Sequence, residues 1–271
     1  MLILEPGDEV ILPSWAFPSC ANAIILRGAT PVFVDVDEDL NIDIDQIVPV
    51  ITDKTKAIMP LHYAGVVCDM HRINAIAENH GLYVIEDAAQ ALGNWKVSGD
   101  LGCLSFHSTK NVQCGEGGAL IVNSPTLIEK AEIIRDFGTT KAQYLRGGEK
   151  MEWLSVGSSY RMSSYLAEVL IGQLEKLPEI TAKRRERWNQ YAQVFNPRKG
   201  CKKIANGHIF WLYVEDKWDW LKTMKNTGYK VSSHFEALHL TPPGRKYGRA
   251  GRITRATEAM QKLVKFSTHG G

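Results

Sequence analysis

A chain of 271 residues with 44% hydrophobic and 23% charged positions has the length and balance of a globular protein, one large domain plus a smaller one, not a disordered or fibrous chain. No apolar run reaches the roughly 18 residues needed to cross a membrane, and the opening Met1–Gly7 lacks the basic start and small-residue cleavage site of a secretion signal. Cys20, Cys68, Cys103, Cys114 and Cys201 form no CxxC pair, which points to reduced thiols in a cytoplasm rather than to disulfides or a zinc site.

The first 140 residues repeat one pattern, a short β-branched run, a turn, then an amphipathic helix. Glu9–Leu12 precedes a helix at Cys20–Leu26, and Pro31–Val36 precedes one at Ile42–Ile51. Ala57–Pro60 leads to Met70–Asn79, and Leu82–Glu86 to Ala88–Leu92. Cys103–His107 and Ala119–Asn123 add strands, and Thr126–Phe137 is a strongly periodic helix. Such alternation predicts an α/β fold with a mostly parallel sheet covered by helices, its ligands outside the carboxyl ends of the strands. Two long helices follow, Ser163–Leu177 and Ile180–Phe195, parted by Pro178. The loop Asn196–Gly200 marks a boundary between a large domain, 1–195, and a small α+β domain, 196–271. The latter is predicted to hold a strand at His208–Val214, a helix at Trp218–Asn226, a strand at Lys230–Phe235, a helix at Arg255–Lys265 and a polar end at Ser267–Gly271.

The net charge of +2 conceals an asymmetry. Residues 1–181 carry 13 Lys/Arg against 24 Asp/Glu, and residues 182–271 carry 19 against 6. The basic third serves nucleic acid, an anionic small molecule, or the acidic part of the same fold. Its cations are dispersed and no DNA-binding motif accompanies them, which argues against nucleic acid.

Four strand-end stretches carry candidate chemistry. In Val84-Ile85-Glu86-Asp87-Ala88-Ala89-Gln90, Asp87 either meets a ligand or caps the next helix. In Ser105-Phe106-His107-Ser108-Thr109-Lys110, a lysine lies between a hydroxyl-rich turn and the glycine turn Gly115–Gly118, which allows close backbone approach to a ligand. A partly desolvated lysine there attacks a carbonyl; the glycine spacing matches neither the Walker loop nor the dinucleotide fingerprint. Trp15 and Phe17 read as core packing or as rings stacked on a cofactor. His62 reads as a substrate contact, a base, or a satisfied strand-end histidine, with Tyr63 beside it.

Together the runs GDEVILPSWAF, FVDVDEDLNID, PLHYAGVVCDM, VIEDAAQA, GCLSFHSTKN, GEGGALIVN, AEIIRDFGTTKAQYLRG and VGSSYRMSSYLAEVLIGQLE resemble the DegT-like sugar-nucleotide aminotransferases. The resemblance runs in order from Gly7 to Leu177 and more thinly over His208–His239. The GSSY and YLRGG stretches are most similar to the subgroup that makes dTDP-4-amino-4,6-dideoxygalactose. It implies the fold type I architecture of enzymes that use pyridoxal 5′-phosphate (PLP), with no metal. It further implies amino transfer from L-glutamate to a keto carbon of a nucleotide-diphosphate deoxy sugar, for lipopolysaccharide or related amino-sugar synthesis, by a cytoplasmic homodimer with shared active sites.

By the same resemblance Lys110 would bond to the cofactor and then move the proton, and Asp87 would keep the pyridine nitrogen protonated. Gln90 would bond the ring's phenolic oxygen, Ser105 would hold the phosphate, and Phe17, ahead of Trp15, would stack on the ring. Ser159 falls where relatives carry an Asn reaching the neighbouring subunit's phosphate, and His62 and Tyr63 would face substrate. The resemblance also implies a chain shortened at both ends, with about eight residues absent between Gln90 and Gly99. That leaves a second reading, a degenerate non-catalytic relative with a binding or regulatory role. A same-fold dehydratase is opposed by Lys110, where those relatives carry His.

Overall fold

The computed structural model describes residues 4–196 and 200–269. Met1–Ile3, residues 197–199 of the expected linker and residues 270–271 of the polar end lie outside the described residues.

In chain order the elements are β1 (Glu9–Pro13), α1 (Pro18–Ile25), β2 (Thr30–Val34), β3 (Thr55–Ile58), α2 (Met70–His80), β4 (Tyr83–Asp87), β5 (Leu101–Ser105), β6 (Gly118–Val122), α3 (Pro125–Arg135), α4 (Lys141–Leu145), α5 (Ser164–Glu175) and α6 (Leu177–Val194). There follow β7 (Ile209–Tyr213), α7 (Lys217–Met224), β8 (Val231–Ser232), α8 (Pro242–Tyr247), β9 (Arg249–Ala250), α9 (Arg255–Lys262) and β10 (Leu263–Ser267). Seven strands form one sheet in the order β6-β5-β4-β3-β1-β2-β9, and β7-β10-β8 form a second, antiparallel sheet. The large sheet is parallel except where β6 returns against β5. It is the mostly parallel sheet flanked by helices that the sequence predicts.

β1 illustrates why. Val10, Ile11 and Leu12 are all fully buried, Ile11 against Val32, Ile58 and Ile73 on one face, Val10 and Leu12 in the larger cluster on the other. A strand covered on both faces needs a continuous apolar run rather than alternation. The larger cluster also takes in Trp211, Phe210 and Phe266 of the small sheet, so one apolar body joins both sheets.

Three expectations are corrected. Ile42–Ile51 forms two short 3₁₀ turns, Ile44–Gln46 and Val48–Val50, since Pro49 withholds a backbone donor and Asp43 accepts from Asp45 N at 3.2 Å. Ala88–Leu92 is a run of turns. The Asp87 carboxylate takes Ala89 N, and Asn206 Nδ2 donates to the carbonyls of Gln90 at 2.7 Å and Leu92 at 3.1 Å. Gly65 makes room for that clamp: at φ +80° it lies so close that a Cβ would stand 2.3 Å from Asn206 Oδ1. Finally, the last helix stops at Lys262, and Leu263–Ser267 is the middle strand of the small sheet.

Part of the charge asymmetry is paired within the chain. Lys202 pairs with Glu38, Lys203 with Asp39, Arg249 with Glu9 at 2.8 Å and Arg255 with Asp43 at 3.8 Å. Each pair joins the basic terminal third to the acidic first part.

Asp35, 3% exposed, makes the tightest of these closures. Its carboxylate accepts from the backbone N–H groups of Thr254, Arg255 and Ala256 at 2.7–2.9 Å, and so fixes the start of α9. Burial pushes its pKa up, but the backbone donors outweigh burial and hold it below the usual carboxylate value. Asp35→Asn is expected to cost about 2–4 kcal/mol in urea unfolding at neutral pH. Since folding lowers this pKa, the contribution is complete above the ordinary carboxylate range and is lost as pH falls through it. The gap between wild type and variant therefore closes toward acid.

Candidate active site

A cavity of about 840 Å³ opens at the carboxyl ends of β4 and β5, with the small sheet as its opposite wall. The sheet order explains its place. β4 and β5 deliver Asp87 and Ser105 as their last residues, and the segment after β1 delivers Phe17 at the start of α1. Gln90 and Lys110 complete the set, so five of the eight sequence-predicted site residues line one cavity.

Lys110 sits in the turn after β5, its N–H donating to His107 O at 2.9 Å. The hairpin around it is closed by Phe106 N–H to Gly117 O at 2.8 Å and Ser108 N–H to Gly115 O at 2.9 Å. Gly115–Gly118 therefore shape the loop rather than the cavity: a Cβ on Gly117 would meet Met162, and one on Gly118 the Leu104 carbonyl. The Lys110 ammonium makes no hydrogen bond among the described residues. Burial lowers its pKa, opposed by the nearby Asp87 and Cys20.

Asp87 caps no helix. Its Oδ1 accepts from Ala89 N–H at 3.0 Å, and its Oδ2 accepts from the Cys20 thiol at 3.0 Å. Burial and then the Asp87 charge push that thiol well above its ordinary pKa, so Cys20 is a neutral donor. Gln90 Oε1 accepts from Ala64 N–H at 2.8 Å, which leaves its amide nitrogen for the cavity. Ser105 is partly exposed there, and Phe17, 56% exposed, stands at the rim with its ring centroid 6.1 Å from that of Phe235. Trp15 is fully buried, in core contact with Tyr63 and Phe235.

Three expected site residues lie elsewhere. His62 is fully buried and both ring nitrogens are engaged: Nδ1 accepts from Cys68 N–H at 3.3 Å, which leaves Nε2–H to donate to Glu86 at 2.8 Å. Glu86 also accepts from Trp95 Nε1 at 2.7 Å and Ser98 N–H at 2.7 Å; burial raises its pKa, but these donors hold it low. The short segment between Gln90 and Gly99 thus folds over a buried hydrogen-bonded pair, His62 and Glu86, behind Asp87. Tyr63 is fully buried as well, and reaches the cavity only through His234, whose Nδ1 meets its hydroxyl at 2.7 Å. Ser159 is exposed in a bridge to Asp136, apart from the cavity lining. Asp136 itself is clamped by Arg161 and Arg135, which depress its pKa to about 2.

Sequence reasoning missed the cavity's second wall, formed by Arg184 of α6, His208, His234 and Lys265 of β10. Lys265 was hidden in a run read as helix, although Val264-Lys265-Phe266-Ser267 alternates in the manner of a strand. Arg184 follows helical spacing and carries no local mark of its burial.

The DegT/DnrJ/EryC1/StrS aminotransferase family model matches residues 1–270. Over 266 residues the chain is 39% identical to the spore coat polysaccharide biosynthesis protein SpsC of Bacillus subtilis, covering 88% of this chain and 68% of SpsC. Over 270 residues it is 35% identical to the uncharacterized protein MJ1066 of Methanocaldococcus jannaschii, covering 90% of this chain and 70% of that protein. The aminotransferase TlmJ from Streptoalloteichus hindustanus superposes with a TM-score of 0.86 at 28% identity, over 98% of this chain and 75% of TlmJ. The fold is that of the fold type I PLP enzymes. The chain belongs to the DegT/DnrJ/EryC1/StrS aminotransferase family, whose cofactor is pyridoxal 5′-phosphate.

Proposed function

We infer that this protein is a cytoplasmic sugar aminotransferase that moves an amino group from L-glutamate to a keto carbon of a nucleotide-linked deoxy sugar, with Lys110 and Asp87 as its catalytic pair. The observation that carries this reading is the convergence of a desolvated amine and a single carboxylate in one cavity at the strand ends. The similarity to SpsC, a polysaccharide biosynthesis protein, supports a sugar as the acceptor.

The lining fits PLP. Lys110 offers an amine with no competing partner, Asp87 a carboxylate held only by a thiol and one backbone N–H, and Gln90 an uncommitted amide nitrogen. Ser105 offers a hydroxyl for the phosphate, and Phe17 an aromatic face at the rim. When bound, the cofactor supplies an aldehyde carbon and an electron-accepting ring. Lys110 would hold it covalently and, once freed, its Nζ, whose pKa burial lowers, would take and return the proton at the substrate carbon. The Asp87 carboxylate would face the ring nitrogen, and the Cys20 thiol steadies that carboxylate from the other side.

A second copy of the chain supports the same reading. Trp153, Leu154, Val156 and Tyr165 are each 60% exposed or more. The first three belong to a strip joined to Gly138 and Thr139, through Leu154 N–H to Gly138 O at 2.8 Å and the Thr139–Trp153 bridge. Exposed apolar surface of this kind marks an interaction site. We assign it to a homodimer with shared active sites, to which Ser159 on the same segment would contribute.

Protein mixed with PLP is expected to gain a visible absorption band that L-glutamate then bleaches. Lys110→Ala should lose the band. Asp87→Ala should cut the rate of bleaching by roughly two to four orders of magnitude, the scale of lost acid–base and electrostatic assistance. A protein that takes up PLP but ignores every amino donor would be the degenerate relative, and one that never takes it up would end the catalytic reading. His62→Ala should lower the melting temperature, by about 3–5 kcal/mol of stability, without raising the glutamate concentration at half-maximal rate. Sedimentation should report a dimer that Trp153→Glu dissociates; a wild-type monomer would remove the shared site.

A further inference from the structure

The cavity's charges are unequally placed. Among the described residues that line it, Asp87 is the one carboxylate, against three cations, Lys110, Arg184 and Lys265. Two of these have assignments. Lys110 is the reactive amine of the reading above. Arg184, 4% exposed, is tethered, Nη1 to Thr268 Oγ1 at 3.1 Å and Nη2 to the Lys110 carbonyl at 3.2 Å, and so braces the turn that carries the reactive lysine.

Lys265 has no such duty. It occupies the middle of β10, the central strand of the small sheet, where side chains alternate between faces. Val264 and Phe266 point to the fully buried apolar side. Lys265 and Ser267 take the other face, with their cross-strand partners Ser232 and Ile209, and all four line the cavity. The Lys265 ammonium makes no hydrogen bond or ion pair among the described residues. A half-buried cation in the middle of a sheet, with no counter-ion, costs stability unless a ligand supplies the negative charge. Burial and the Lys110 charge both press on its pKa, and the same two lysines, with Arg184 and His234, press on His208 after burial. Positive charge therefore converges on one end of the cavity.

We propose that Lys265 is the carboxylate-binding residue for the amino donor, fixing an α-amino acid against Lys110 across the cavity from Asp87. The assignment rests on the aminotransferase reading and deepens it. In an α-amino acid the carboxylate is attached to the same carbon as the reacting nitrogen. The cation that holds it must therefore share a cavity with Lys110. Apart from Lys110 itself, Lys265 is the cation of that cavity whose ammonium makes no hydrogen bond among the described residues, whereas Arg184 is tethered. The negative charge of a nucleotide-linked acceptor sits on its diphosphate, several bonds from the keto carbon, so a cation placed beside Lys110 serves the donor's α-carboxylate and not the acceptor.

The test uses glutarate, a dicarboxylate that lacks an amine and cannot react, titrated calorimetrically into the protein, and L-glutamate as reactant with the PLP-loaded enzyme. Lys265→Met should weaken glutarate binding and raise the glutamate concentration at half-maximal rate, each by roughly ten- to a hundredfold. PLP affinity, read from the visible band, should stay within about twofold. Lys265→Arg should restore most of the glutarate affinity, which guards against a variant that merely unfolds. Unchanged glutarate and glutamate values in Lys265→Met would overturn the assignment. So would a loss of PLP affinity, or of inorganic phosphate binding with glutarate unaffected, since either would make Lys265 a phosphate contact. A shifted pH profile with an unchanged glutarate affinity would likewise overturn it, leaving Lys265 a modulator of Lys110. Absence of PLP uptake would count against the aminotransferase reading alone, because the glutarate titration needs no cofactor.

Discussion

The chemistry of this molecule depends on a charge kept at a disadvantage. The Lys110 ammonium lies in a cavity whose burial lowers its pKa, opposed by the nearby Asp87 and Cys20. Desolvation lowers an amine's pKa, and an amine that is neutral part of the time is a nucleophile and a base. Asp87 is held beside it by a neutral donor: its carboxylate accepts from the Cys20 thiol, whose pKa burial and the nearby carboxylate push well above its ordinary value.

Both conditions are made by packing some distance away. The His62–Glu86 pair, with Trp95 and Ser98, fills the space behind β4 and fixes the strand that ends in Asp87. Asn206, admitted by Gly65, fixes the turn that ends in Gln90. Arg184 fixes the carbonyl of Lys110. Of these buried polar groups Arg184 alone lines the cavity among the described residues, yet each removes one way for a site residue to drift, the support that a reactive arrangement requires.

The small sheet closes the cavity, and electrostatics closes the small sheet. Lys202, Lys203, Arg249 and Arg255 each meet an acid of the first fifty residues. Four cations of the basic terminal third are thereby paired with acids of the first part of the chain. Exposed pairs of this kind contribute little each, so their weight lies in orientation more than in stability. The buried closure at Asp35 and the apolar body shared by both sheets supply most of the adhesion.

Local patterns were enough to place β1 to β4, because a doubly covered strand must be an unbroken apolar run and its ends are marked by turn residues. They also drew attention to the strand-end stretches that hold Asp87 and Lys110, since strand ends in a parallel sheet converge, whereas Gln90, Ser105 and Phe17 were singled out by the family resemblance. Local patterns could not say that His62 and Tyr63 face inward, for their partners Glu86 and His234 are 24 and 171 residues away. Nor could they show that Ala88–Leu92 forgoes a helix, which Asn206 decides from 116 residues along the chain. Lys265 is the clearest case. Its exposure to the cavity exists only once β10 is inserted between β7 and β8, and a side chain's neighbours across a sheet are chosen by pairing, not by sequence distance.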